Sequence, residues 1–126
     1  MPWTTDEWTR EQVEKDQDRY YVFGDNTLKR GTAGQACIRG LPNAFGVPTK
    51  ALPNMGPGAF FEERIIPFHI YAKQIQAAID LIPTDKPIVV HKRIGKGLSR
   101  LDILSPKLYA FMINALEEKI GEPIDD

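Results

Sequence analysis

The chain has 126 residues, 42% of them hydrophobic and 26% charged, and its 16 Lys and Arg against 17 Asp and Glu give a formal charge of −1. That composition describes one compact domain, too short for two and too apolar to be disordered. Cys37 is the only cysteine, which excludes an intrachain disulfide and a thiolate metal cluster; without an apolar run of about 18 residues or a signal-peptide pattern, the sequence points to a cytoplasmic protein with no membrane association.

In chain order, residues 5–18 are acidic, with Trp8 and Val13 as apolar anchors. They read as a weakly amphipathic surface helix capped by Thr5 or Asp6. Residues 19–24, Arg-Tyr-Tyr-Val-Phe-Gly, form a buried strand stopped by a turn at Gly24-Asp25-Asn26. Residues 27–40 read as a loop containing Gly31, then a short helix of small residues capped by Thr32 and stopped by Gly40. Residues 43–50 are extended, and Pro48 restricts them to an edge strand or a strand end. Pro53, Gly56, Pro57 and Gly58 mark an irregular surface excursion.

From Pro67 the apolar residues Phe68, Tyr71, Ala72, Ile75, Ile79 and Ile82 recur every three or four positions, which predicts a helix with Pro67 at its first position. Pro83 closes it, and residues 87–91 read as a buried parallel strand. A basic glycine loop over residues 92–101 leads to a last helix with Ser105 as cap, Pro106 first, and Leu108, Phe111, Met112, Ala115 and Leu116 as its buried stripe. The organisation is an acidic helical segment at 1–18, one α/β domain at 19–120 and a frayed acidic tail at 121–126. Alternation of strands and helices predicts a compact three-layer sandwich around a small, mostly parallel mixed sheet.

Charge is segregated along this order. Residues 26–61 and 86–101 hold nine of the 16 basic residues and none of the 17 acidic ones, where an even spread would place roughly seven carboxylates. Ordinary scatter in a small chain is one explanation. The sharper one is that the two segments meet and form a positive concavity for a phosphate-bearing ligand. Each segment centres on a glycine loop at the carboxyl end of a predicted strand, where open α/β sheets place their ligand crevices and where backbone N–H groups approach phosphate closely. Neither loop matches a Rossmann fingerprint or a P-loop.

The candidate ligand-binding residues are Asn26, Lys29, Arg30, Gly31, Gly34, Arg39, Lys50, Arg93, Gly95, Lys96 and Gly97. Asp25 and Gln35 are the candidates for catalysis, Asp25 ordering a water and Gln35 assisting. Asp25 and Asn26 equally suit a turn that ends the strand, and Gly95 and Gly97 a tight connection. Among the remaining chemistry-bearing residues, His69 and His91 are the only histidines, and His91 ends a strand with no cysteine or acid nearby in sequence to indicate a metal, so a structural role is favoured. Cys37 reads as a small core residue. The pairs Glu62/Glu63 and Glu117/Glu118 read as solvated surface, while Trp3 and Trp8 suit either hydrophobic staples or a partner-binding patch. No metal or cofactor is expected.

The segments Tyr21-Val22-Phe23-Gly24-Asp25-Asn26, Arg30-Gly31-Thr32-Ala33-Gly34-Gln35-Ala36 and Asn43 to Lys50, with the later Ile94-Gly95-Lys96-Gly97-Leu98, resemble a small uncharacterised family of bacteria and phages carrying FGDN, RGxxGQA and GIPTK-like motifs. The same order of parts is similar to macrodomains, which bind ADP-ribose. The resemblance implies that Asn26 closes a strand at the ligand, that Gly31 and Gly34 form the first loop, and that Gly95 and Gly97 form the diphosphate loop. The run of consecutive glycines is absent here, and Leu98 stands where an aromatic is expected. Three functions compete: a macrodomain-like module binding a nucleotide or ADP-ribose-type ligand; a hydrolase acting on an ADP-ribosyl or phosphate ester bond; and a phage-type inhibitor or interaction module that engages a host protein through Trp3, Trp8 and the Pro/Gly excursion. With net charge near zero, nucleic acid is not an expected partner.

Overall fold

A computed structural model of the chain describes residues 3–4, 7–31, 34–52, 54–56, 58–62 and 66–123. Four strands, β1 (Trp3–Thr4), β2 (Tyr20–Asn26), β3 (Ala44–Lys50) and β4 (Ile88–His91), make one sheet in the order β1-β4-β2-β3. All three pairings are parallel. The alternation along β2 sends Val22 to one face and Phe23 to the other, as pleated backbone requires.

On the first face, Val22, Val47, Ile88 and Val90 pack with Tyr71, Ile75, Ile79, Leu108, Met112 and Leu116. These come from α2 (Phe68–Asp80) and α4 (Pro106–Ile120), whose apolar stripes follow the three-and-four spacing. On the second face, Phe23 packs with Trp8, Val13, Ile38 and Leu41, brought there by α1 (Arg10–Lys15) and a 3₁₀ segment, Gly34–Ile38. The result is α/β with helical structure on both sides of a parallel sheet. Among the described residues no helix is long and apolar enough to cross a membrane.

Several boundaries differ from expectation for identifiable reasons. Helix α1 starts late because Thr9 caps it: its side chain accepts from Gln12 N–H while the Gln12 side chain accepts from Thr9 N–H, a reciprocal capping box. Thr5 and Asp6 lie outside the described residues. The N-terminal segment is also more than a surface helix, since β1 pairs with β4 and Trp8 and Val13 are buried. Strand β2 does not stop at Gly24 but continues through Asp25 and Asn26, which face Pro48 and Lys50 across a register shift.

The helix expected before Gly40 is 3₁₀ rather than α, and its proposed cap Thr32 lies outside the described residues. Pro67 takes the N-cap position of α2 rather than its first turn. Between the end of the expected loop and Ser105, a further short helix, α3 (Leu101–Leu104), forms ahead of α4. Ser105 precedes α4 but makes no side-chain cap; its Oγ donates instead to Phe61 O at 2.8 Å, tying the start of α4 to the segment just after the excursion. Pro48 does sit on an edge strand, and the described part of the 52–58 excursion is irregular.

Asn43 joins the N-terminal segment to the sheet. Its buried Nδ2 donates to Val13 O at 2.9 Å and Asp16 O at 2.8 Å, capping α1 from outside. Replacing Asn43 with Ala removes both bonds and strands the Asp16 carbonyl, since Val13 O still accepts from Asp16 N–H; it should cost about 1–3 kcal/mol. Urea denaturation is the check: the midpoint falls with the slope unchanged.

Candidate functional site

Because β2 and β4 are parallel neighbours, the loops that follow them open at the same end of the sheet. Between these loops lies a crevice of about 220 Å³. It is lined by Gly24, Asp25, Asn26, Arg30, Gly31, Gly34 and Gln35 from the first acid-free segment and its approach, by Lys50, and by His91, Arg93, Lys96 and Gly97 from the second. Arg30 and Lys96 thus share one concavity. Lys29 and Arg39 do not line it; they border a separate groove of about 520 Å³ running along β3 and α2. Gly95 also lies outside, since a Cβ there would come within 2.8 Å of Tyr109 Cδ1 and Met112 Cε. With its φ of +75°, Gly95 serves close packing under the loop rather than ligand contact.

Gly97 plays a different part. Its φ is +63°, and a Cβ would approach Arg93 Nη2 to 3.1 Å, so the absence of a side chain lets the Arg93 guanidinium lie over the loop. Ser99 Oγ donates to Lys96 O at 3.2 Å and braces the same turn. The segment entered by the first loop is a five-residue 3₁₀ turn, too short for a developed α-helix dipole. The cationic charge at the crevice therefore comes from side chains, with Glu7 and Asp25 as the carboxylates on the same lining.

The polar residues expected to read or attack a ligand are engaged within the protein. Asp25 is buried and forms a two-pronged ion pair with Arg39, Nε to Oδ2 at 3.0 Å and Nη2 to Oδ1, while Oδ1 also accepts from Asn26 N–H at 2.8 Å. Arg39 further donates to Gly31 O. This fork fixes the loop from behind and neutralises the Asp25 carboxylate. Gln35 Oε1 accepts from Gly24 N–H at 2.6 Å. Asn26 Nδ2 donates to Arg30 O at 2.8 Å and its Oδ1 accepts from Arg30 N–H at 3.3 Å, so Asn26 staples the turn that presents Arg30. Lys50 is also occupied: Nζ donates to Asn54 O at 2.8 Å and lies 4.9 Å from the Phe60 ring centroid. Burial, with the nearby Arg100 charge, lowers its pKa.

By contrast, the side chains of Arg30 and Arg93 are exposed and have no hydrogen-bond or ion-pair partner among the described residues. Lys96 completes this basic side, its Nζ 6.0 Å from the Tyr109 ring centroid.

Sequence reading did not single out the His91 and Glu7 side chains, which also line the crevice. His91 is 1% exposed; its Nδ1 accepts from Arg93 N–H at 3.1 Å, and its Nε2 is buried with no hydrogen-bond partner, 3.8 Å from Glu7 Oε2. No acid is near His91 in sequence, but β1 pairs with β4 and Glu7 stands beside His91 in the fold. Trp8, edge-on to His91 at 4.6 Å, is buried and donates its indole N–H to Gln35 O, which makes it a core residue rather than a surface patch. His69 is exposed on α2, and burial pushes the Cys37 thiol up, away from nucleophilic character. Among the described residues no three His, Cys, Asp or Glu side chains are grouped to hold a metal.

A family model described as "Family of unknown function (DUF7831)" matches residues 3–115. No curated protein and no solved structure matches the chain.

Two outcomes follow from these contacts. Arg39→Ala leaves the buried Asp25 carboxylate unpaired and should cost about 3–5 kcal/mol, read as a lower urea midpoint. Burial, the largest influence, depresses the His91 pKa below 6.5. The unfolded chain then binds the extra proton first, so stability is retained above pH 6.5 and declines as pH falls below it. Carboxylates with lowered pKa, Asp16 and Asp85, act only below pH 3.8. Thermal melts between pH 7.5 and 5 should therefore show a decline that His91→Phe flattens.

Proposed function

The chain belongs to this family of unknown function, and we propose that its crevice binds a phosphate-bearing small ligand, a nucleotide or ADP-ribose-type molecule, as a macrodomain-like module. The observation that carries this reading is the convergence of Arg30, Arg93 and Lys96 from two distant segments on one concavity, with Arg30 and Arg93 unpartnered among the described residues. Unpaired guanidiniums at a strand-end crevice are suited to forked hydrogen bonding with phosphate oxygens. The volume, about 220 Å³, is below the roughly 300–1,000 Å³ of sites for drug-sized ligands. It suits a phosphoryl group with one attached sugar, so a ligand as long as ADP-ribose would leave part of itself outside.

Binding is favoured over hydrolysis. Asp25 is held by Arg39 and Gln35 by the β2 backbone, so neither offers an uncommitted group for water activation. Burial of Trp8 removes one anchor of the host-protein reading.

Isothermal titration with AMP and ADP-ribose tests the proposal. Heat of binding is expected for the wild type, and Arg30→Glu, a change at an exposed position, should weaken affinity at least tenfold, about 1.4 kcal/mol. Absence of heat with every phosphate ligand refutes it.

A further inference from the structure

Glu7 is anomalous in a crevice that gathers cations. Its side chain is 73% exposed, yet its carboxylate lines the concavity and stands 3.8 Å from His91 Nε2. A carboxylate there repels any bare anion, so its presence asks for a ligand group that donates a hydrogen bond. His91 supplies the complementary half. Arg93 N–H occupies Nδ1 as donor, which places the imidazole proton on Nε2. Nε2 is then a buried N–H, without a hydrogen-bond partner, on a side chain 1% exposed. Burial of such a donor is costly unless something accepts from it.

A ligand hydroxyl satisfies both requirements. A hydroxyl oxygen accepts from Nε2–H while its own proton goes to the Glu7 carboxylate; a phosphate dianion can do only the first and is repelled by the second. The 3.8 Å separation lets a single oxygen at hydrogen-bond distance from both atoms sit at the apex of a triangle with them. Building on the phosphate-binding reading, we propose that the ligand is a hydroxylated phosphate ester, a sugar phosphate or the ribose-phosphate end of a nucleotide. Its hydroxyl is held between His91 Nε2–H and Glu7, and its phosphate lies on the side of Arg30, Arg93 and Lys96.

The test is calorimetric titration of the full chain with ribose 5-phosphate and with methyl phosphate, which carries the same head group without hydroxyls. The wild type should prefer ribose 5-phosphate by about tenfold or more. Glu7→Gln should shift the two ligands in opposite directions, weakening ribose 5-phosphate by about tenfold and strengthening methyl phosphate. A merely structural role for Glu7 would move both the same way. His91→Phe, which keeps a ring and removes the N–H, should also lose the preference.

Opposite shifts support the assignment. Shifts of the same sign, or a wild type without preference, overturn it while leaving the phosphate reading in place. A wild type that binds neither compound overturns both. AMP as a third ligand separates the two sources of this chemistry, its acceptance indicating a nucleotide end and its rejection a free sugar phosphate, and either result alongside opposite shifts upholds the hydroxyl site.

Discussion

Everything at the crevice depends on the parallel hydrogen bonding of β2 with β4, from Tyr20 opposite Ile88 to Val22 opposite Val90. Parallel neighbours leave the sheet at the same end. Had the pair been antiparallel, the loops after Asn26 and after His91 would emerge at opposite ends, and the two acid-free segments would never meet. The pairing is held by apolar packing on both faces, with Val22 and Val90 in one core and Phe23 in the other. The interior of the molecule therefore decides where its surface charge gathers.

Within the crevice the polar groups divide into those that build and those that face outward. Asp25, Arg39, Asn26 and Gln35 hold the first loop to the sheet and to itself. Lys50 is tied to the excursion and Ser99 to the second loop. Bracing of this density fixes the backbone from which the arginines extend before any ligand arrives, which lowers the cost of ordering that backbone on association. The division also explains why residues with the right chemistry for a site serve as its scaffold: a buried carboxylate or amide at a strand end must find a partner, and the nearest partners are the loop's own backbone and Arg39.

The layers were legible because periodicity and charge are local or additive properties. The spacing of Phe68, Tyr71, Ala72, Ile75 and Ile79 needs only a helix to make sense, and Pro48 bars itself from a central strand by lacking an N–H. The start of α1 was misplaced at Thr5 or Asp6, although the sequence carries the capping-box pattern Thr9-Arg10-Glu11-Gln12 that sets it. What sequence did not disclose are relations between distant side chains. Asp25 looks the same on paper whether it orders a water or receives Arg39. His91 and Glu7 come together only because β1 and β4 pair, and a two-residue strand has no pattern of its own.

The sheet's margins have a consequence for behaviour in concentrated solution. One margin is a strand of two residues, which offers little template. The other, β3, carries Pro48, which cannot donate, and its end at Lys50 is bridged by Phe60 in antiparallel fashion. Short margins, interrupted donors and a crossing segment are the means by which natural sheets avoid recruiting further strands. Neither described margin of the sheet thus presents a long uninterrupted row of donors and acceptors to a strand from another copy.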